Sequence, residues 1–200
     1  MSEAKPIAAL YVETGGCYFG LEGVDPWDEV RDARLYNGPH PVVAHPPCNR
    51  WGALARVNYA KWQREHLRPG NDGGTFKAAL VAVRKWGGVL EHPASTMAFR
   101  AYLLPRPVRG AWQATICGGW VTEVAQCAYG HRARKLTWLY LHGAAPPSLD
   151  WSAEGYTHQI GKADGFRGLA KMREKEARAT PPAFRDLLIS MARSVEVSHG

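Results

Sequence analysis

Val42-Val43-Ala44-His45-Pro46-Pro47-Cys48 is an apolar run that stops at a double proline and delivers a cysteine onto a loop. Proline lacks the amide hydrogen a ladder needs and clashes inside a helix, so Pro46 and Pro47 end the strand and stiffen the backbone where the thiol emerges. That is how a nucleophile is presented, not how a core thiol is buried. Further along, a second short apolar run, Gly88-Val89-Leu90, ends in Glu91-His92-Pro93. Two strands that each end in a reactive side chain and a proline predict one site at the carboxyl edge of a parallel sheet, where open α/β folds bind their ligands. Cys48 and Glu91 are the leading pair.

Between the two runs, the spacing predicts a helix from about Thr75 to Trp86. Phe76, Ala79, Leu80 and Val83 fall at i, i+3, i+4 and i+7 and give it one apolar face. Strand, loop, helix, strand is a parallel crossover. The loop portion, Asn49 to Asn71, interleaves Arg50, Arg56, Arg64 and Arg68 with Trp51, Tyr59 and Trp62. That mixture suits phosphate contact and base stacking in a mobile, substrate-contacting segment, although Tyr59 and Trp62 also have helical spacing and would equally pack. Gly70, Gly73 and Gly74 close the segment.

Upstream, Ile7 to Val12 reads as a first strand and Glu13-Thr14-Gly15-Gly16 as a glycine turn. Such a turn lets backbone approach a ligand, and is equally an ordinary loop, because a lone Gly-Gly is a weak signal. Asp25, Asp28 and Asp32 follow; any of them would serve a ribose or an amine, but surface carboxylates are common. Downstream, a helix begins at Ser95-Thr96-Met97 and is stopped by Pro105 and Pro107. Strand-like runs at Trp120 to Ala125 and Leu136 to Leu141 flank a basic turn, Gln126 to Lys135, placed either for anion and base contacts or as a solvated hairpin. Residues 143–168 form a glycine-rich, aromatic connector that reads as a small insertion or lid. Lys171 to Arg178 reads as a solvated helical face. Thr180-Pro181-Pro182 starts a last helix whose stripe is Phe184, Leu187, Leu188 and Met191.

The chain has 200 residues, a formal charge of +7 and 46% hydrophobic residues, which suits one well-cored domain over 1–200. No run approaches the roughly eighteen apolar residues of a membrane helix, and the N-terminus lacks a basic-then-apolar leader, so a cytoplasmic protein without membrane partners is expected. Cys17, Cys48, Cys117 and Cys127 lack zinc-ribbon spacing, and reduced thiols rather than disulfides are expected. A metal held by His40, His45 and Cys48 would lack a second close ligand pair, so no metal is expected. The basic balance fits a polyanionic partner or simply a solvated basic face.

The order of these landmarks, namely glycine turn, Pro-Pro-Cys, Gly-Gly-Thr-Phe before a helix, Glu-His-Pro, Gln-x-x-Tyr-Gly before a basic strand and then Thr-Pro, resembles a divergent, shortened DNA (cytosine-5)-methyltransferase. The likeness runs from about Leu10 to Met191. It implies a Rossmann-like α/β class I methyltransferase fold, with a mostly parallel sheet and helices on both faces. The short spacing from Gly15-Gly16 to Val24-Asp25 implies a reduced first helix, and the span before Thr180 leaves no room for a large target-recognition domain.

The resemblance also implies roles. Cys48 would be the thiolate that adds to carbon-6 of a pyrimidine, and Glu91 would meet the charge developing at the ring nitrogen. Glu13, Gly15, Gly16, Asp25, Asp32 and Pro46 would line an S-adenosylmethionine site, Asp25 at the ribose and Asp32 at the adenine. Asn49, Arg50, Arg132, Arg134 and Lys135 would contact substrate. Ala133 stands where the first family arginine belongs and Lys135 at the second, so the carbonyl contact stays open among Arg132, Arg134 and Lys135. DNA or a pyrimidine nucleotide is the implied substrate, in keeping with a compact modification gene of a virus or mobile element. Two other readings retain the landmarks: another pyrimidine modification without S-adenosylmethionine, and a catalytically silent nucleic-acid-binding module.

Overall fold

The computed structural model describes residues 4–161 and 168–196. Strand β1 (Ile7–Leu10) is fully buried and is followed by turns, with no helix, up to β2 (Val24–Trp27). The first helix is therefore absent rather than shortened. Strand β3 (Val42–Ala44) stops before the two prolines, and α1 (Ala53–Trp62), α2 (Thr75–Trp86) and β4 (Gly88–Pro93) follow. Then come α3 (Met97–Ala101), β5 (Gln113–Ala114), β6 (Trp120–Ala125) and β7 (Leu136–His142). The chain ends in a two-stranded ribbon of β8 (His158–Gln159) and β9 (Ala170–Lys171), α4 (Glu174–Arg178) and α5 (Pro182–Arg193). The expected insertion or lid at 143–168 contributes only β8 to a strand; its residues 162–167 lie outside the described residues.

The main sheet has seven strands in the order β2-β1-β3-β4-β7-β6-β5. β2, β1, β3 and β4 pair in parallel, while β7 is antiparallel to both β4 and β6, so β6 shares the direction of the first four and only β7 and β5 oppose it. Alternation along the strands splits the core. Ala8, Leu10, Val42, Ala44 and Leu90 face α2, and Ile7, Ala9, Val43 and Val89 face α5. Phe76, Ala79, Leu80 and Val83 of α2 seal the first face, whereas Phe184, Leu188, Met191 and Ala192 of α5 seal the second. The result is a mixed α/β architecture with helices on both faces of the sheet. Gly88 sits at φ 119°, and a Cβ there would lie 2.0 Å from the Val42 carbonyl oxygen, so only glycine lets β4 approach β3 at this point.

The chain leaves β1 toward β2 on one side and returns to β3 on the other. The gap between β1 and β3 is thus the switch point at which ligands bind in open sheets. One element departs from expectation. The stretch Asn49 to Asn71 is mostly helical, as α1 and a short turn at Glu65–Leu67. Trp51 is not offered for stacking on a base: it is 6% exposed and packs against Phe76 and Tyr102. Trp62, by contrast, is exposed, with Lys61 and Arg64 over its ring.

Candidate active site

A cavity of about 1520 Å³ opens at the carboxyl ends of β1, β3 and β4 and holds Cys48 and Glu91 together. Ligand pockets usually fall between ~300 and ~1,000 Å³, so there is room here for a base and a second small molecule. The two residues arrive differently. Cys48 lies on the loop beyond Pro46-Pro47, while Glu91 is inside β4, opposite Leu139 of β7.

Glu91 is heavily engaged. Its Oε2 lies 2.9 Å from His45 Nδ1, and its Oε1 lies 3.4 Å from the Gln126 amide nitrogen, which also donates to Thr137 Oγ1 at 2.9 Å. Burial pushes the Glu91 carboxyl up, but the His45 hydrogen bond and the charge of Lys135 outweigh it and leave the group below its usual value. Burial also raises the Cys48 thiol, and the Glu91 charge raises it further against the pull of Arg178 and Lys135. The thiol is therefore protonated at neutral pH, and must lose its proton on attack.

Lys135 is the cation whose charge acts on both residues. Burial lowers its ammonium, and Glu91 and Cys48 hold it up. Its Nζ donates to the carbonyls of Arg178 and Ala179 at 3.2 and 3.0 Å, which fixes it at the cavity wall. Arg134 lines the same cavity, but Arg132 turns away to Glu176 and lines a smaller neighbouring cavity of about 700 Å³.

The remaining expected site residues divide in the same way. Glu13, Pro46 and Asn49 line the main cavity. Gly15, Gly16, Asp25, Asp32 and Arg50 do not. Gly16 closes a tight turn onto the Glu13 carbonyl at 2.8 Å. Asp25 is held by Arg31 and by the Trp27 indole, Asp32 caps the short helix Ala33–Leu35 and pairs with Arg34, and Arg50 donates to the His66 carbonyl. At the tip of β2, Asp28 accepts from Thr14 at 2.7 Å and from the amides of Val30 and Arg31.

Compared with protein-family models, curated proteins and solved structures, the chain matches none of them. Geometry alone carries the assignment of roles. Among the described residues, no three His, Cys, Asp or Glu side chains group as a metal site, and no helix is long and apolar enough to cross a membrane.

Sequence reasoning missed Tyr18, His45 and Gln126 as parts of this site. His45 carried a signal, since it follows β3 just as Cys48 does and must emerge at the same edge. Gln126 carried one only as the first residue of the Gln-x-x-Tyr-Gly landmark and Tyr18 none at all, because only the folded turn after β1 and the turn after β6 bring them in.

Proposed function

We propose that this chain is a transferase acting on carbon-5 of a pyrimidine base through a Cys48 adduct, on DNA or a pyrimidine nucleotide. One observation carries the reading: a thiol, a carboxylate and a half-buried ammonium, Cys48, Glu91 and Lys135, converge in one cavity at the switch point of the sheet. That trio matches what the addition demands. As the Cys48 sulfur bonds to carbon-6, the pair of the 5,6 double bond moves into the ring, and Glu91 meets the charge that reaches the ring nitrogen. The thiol proton ends up shared between Glu91 and that nitrogen, so addition takes up no net proton. Lys135 faces the same adduct and suits the ring carbonyl. Carbon-5, now electron-rich, takes the one-carbon group as its bond to the donor breaks. Solvent water then takes the carbon-5 proton, that bonding pair re-forms the 5,6 double bond as the Cys48 thiolate leaves, and the proton held between Glu91 and the ring nitrogen returns to the thiolate.

S-adenosylmethionine, when bound, would supply the methyl group as an electrophile. The cavity has volume for it beside a base, and Glu13 and Pro46 line that cavity. The carboxylates at the end of β2 tell otherwise: Asp25, Asp28 and Asp32 all spend their oxygens on protein partners. That observation favours, as a second reading, the same Cys48 and Glu91 chemistry with another one-carbon donor.

Calorimetric titration of S-adenosylmethionine and its demethylated product separates the two readings. Trapping of Cys48 by a 5-fluoropyrimidine oligonucleotide tests their shared step. An adduct with no S-adenosylmethionine binding selects the second donor, and a folded protein that forms no adduct with any donor abandons both.

A further inference from the structure

A carboxylate has two oxygens to offer, and the protein has already spent one of them at Glu91. The His45 and Glu91 side chains are each only 13% exposed where Nδ1 meets Oε2 at 2.9 Å. On the other side of the imidazole, the Tyr18 hydroxyl lies 2.8 Å from Nε2, with ring centroids 5.4 Å apart. The His45 backbone is pinned as well, its amide donating to the Leu10 carbonyl at 3.0 Å. Tyr18 is 2% exposed, and burial pushes its phenol well above the usual range, so the hydroxyl keeps its proton. The Glu91 carboxylate can only accept, so the imidazole nitrogen facing it carries the ring hydrogen and Nε2 accepts from the Tyr18 hydroxyl. The ring hydrogen is thereby left on Nδ1, directed at Glu91. Among the described residues, Oε1 has only the long 3.4 Å contact from Gln126, whose amide has the shorter bond to Thr137.

We propose that His45, locked by Tyr18, is a positioning residue that fixes Glu91 so that Oε1 is the oxygen presented to the pyrimidine. This role rests on the pyrimidine-adduct reading. It inverts the logic of a hydroxyl, imidazole and carboxylate triad, in which the carboxylate orients the imidazole toward its hydroxyl. Here the hydroxyl orients the imidazole, and the imidazole orients the carboxylate. The arrangement explains why the turn after β1 folds inward: it brings Tyr18 over the end of β3. It also gives the double proline a second task, since stiff backbone after His45 holds this hydrogen-bonded chain in register with Cys48. The charged and titratable groups around the Glu91 carboxylate are His45 and Cys48 from the segment after β3, Tyr18 from the turn after β1, Lys135 from the basic turn and His92 of β4.

Two readouts test the proposal on the full-length protein. The first is imidazole nitrogen NMR. The wild-type His45 ring is expected as one tautomer with hydrogen on Nδ1, and Glu91→Gln is expected to perturb it; a ring with hydrogen on Nε2, or one indifferent to Glu91→Gln, overturns the proposal. The second is the rate of Cys48 adduct formation with an oligonucleotide carrying 5-fluorocytosine, measured against pH with S-adenosylmethionine present. His45→Ala is expected to slow the adduct roughly 100-fold, the scale of a misplaced group at a reacting centre, with little change in oligonucleotide affinity. Its acid limb moves to higher pH, because the group that holds Glu91 ionised is gone. His45→Asn, whose amide nitrogen falls near the Nδ1 position, is expected to recover the rate to within about tenfold of wild type, and Tyr18→Phe to show a smaller loss than His45→Ala. A His45→Ala protein with wild-type rate and pH profile, or an Asn variant no better than Ala, overturns the positioning role while leaving the adduct chemistry in place. If the wild-type protein forms no adduct with S-adenosylmethionine or any other one-carbon donor, the pyrimidine reading and the positioning role of His45 in it fall together, and the NMR readout still decides whether His45 holds Glu91.

Discussion

Trp51 donates its indole N–H to Asp72 across 2.8 Å, and this bond ties the segment that carries Cys48 to the start of α2. The same carboxylate accepts from the Gly74 amide at 2.9 Å, the Phe76 amide at 2.9 Å and the Thr75 hydroxyl at 3.0 Å. Asp72 thus caps the helix from outside it and anchors a buried tryptophan at once. Replacing Asp72 by Ala leaves the Trp51 indole and the first-turn amides unpaired. A loss of about 2–4 kcal/mol in urea unfolding is expected, with Asp72→Asn milder.

Cys48→Ser and Glu91→Gln change atoms in the cavity without touching either half of the core. Cys48→Ser is expected to keep the wild-type melting temperature, and Glu91→Gln to fold with a modestly lower one, because the carboxylate held by His45 is gone. In 5-fluoropyrimidine trapping, Cys48→Ser should give no adduct and Glu91→Gln a rate lower by roughly 10² to 10³. Full trapping without Cys48 would remove the nucleophile from the mechanism.

The Lys135 ammonium pulls the Cys48 thiol down against burial and the Glu91 charge. In Lys135→Met that pull is lost, so the thiol rises further. Iodoacetamide labelling of Cys48, followed by mass spectrometry across pH, is expected to show a midpoint displaced upward and slower labelling at every pH below it. An unchanged profile would show that Lys135 does not act on the thiol.

His92 is fully buried beside Phe76, and burial pushes its imidazole down from 6.5 to about 4. An unfolded chain takes up this proton near pH 6.5, and the folded one resists until about pH 4. Its contribution to stability is therefore complete above pH 6.5 and is lost as pH falls toward 4, a swing of about 3 kcal/mol. Glu91 acts in the same direction at lower pH, since its folded carboxyl is also held below the usual value. Urea titrations at pH 7 and pH 4.5 should show a steeper acid loss in wild type than in His92→Leu.

Much of the frame was legible because periodicity and proline are local signals. Thr75 to Trp86 and Trp120 to Ala125 form their elements at the bounds read from the sequence, and Pro181-Pro182 opens α5. The parallel crossover from β3 through α2 to β4 followed from the apolar runs and the amphipathic helix between them. Less legible was the stretch from Asn49 to Asn71. Its arginines and aromatics alternate without a strong apolar face, so composition spoke for a mobile segment where backbone hydrogen bonding makes α1.

The sequence by itself determined that Cys48 and Glu91 would emerge near one sheet edge, since each follows an apolar run and the helix between those runs requires the strands to be parallel. Only the tertiary structure decided which neighbours reach them. Lys135 enters while Arg132 leaves because the basic turn packs against α4, where Glu176 captures Arg132 and the carbonyls of Arg178 and Ala179 receive Lys135. Tyr18 reaches His45, and His45 and Gln126 reach Glu91, from three separate segments. Hydrogen bonds of that kind depend on distances between residues far apart in the chain, and no local pattern of side chains encodes them.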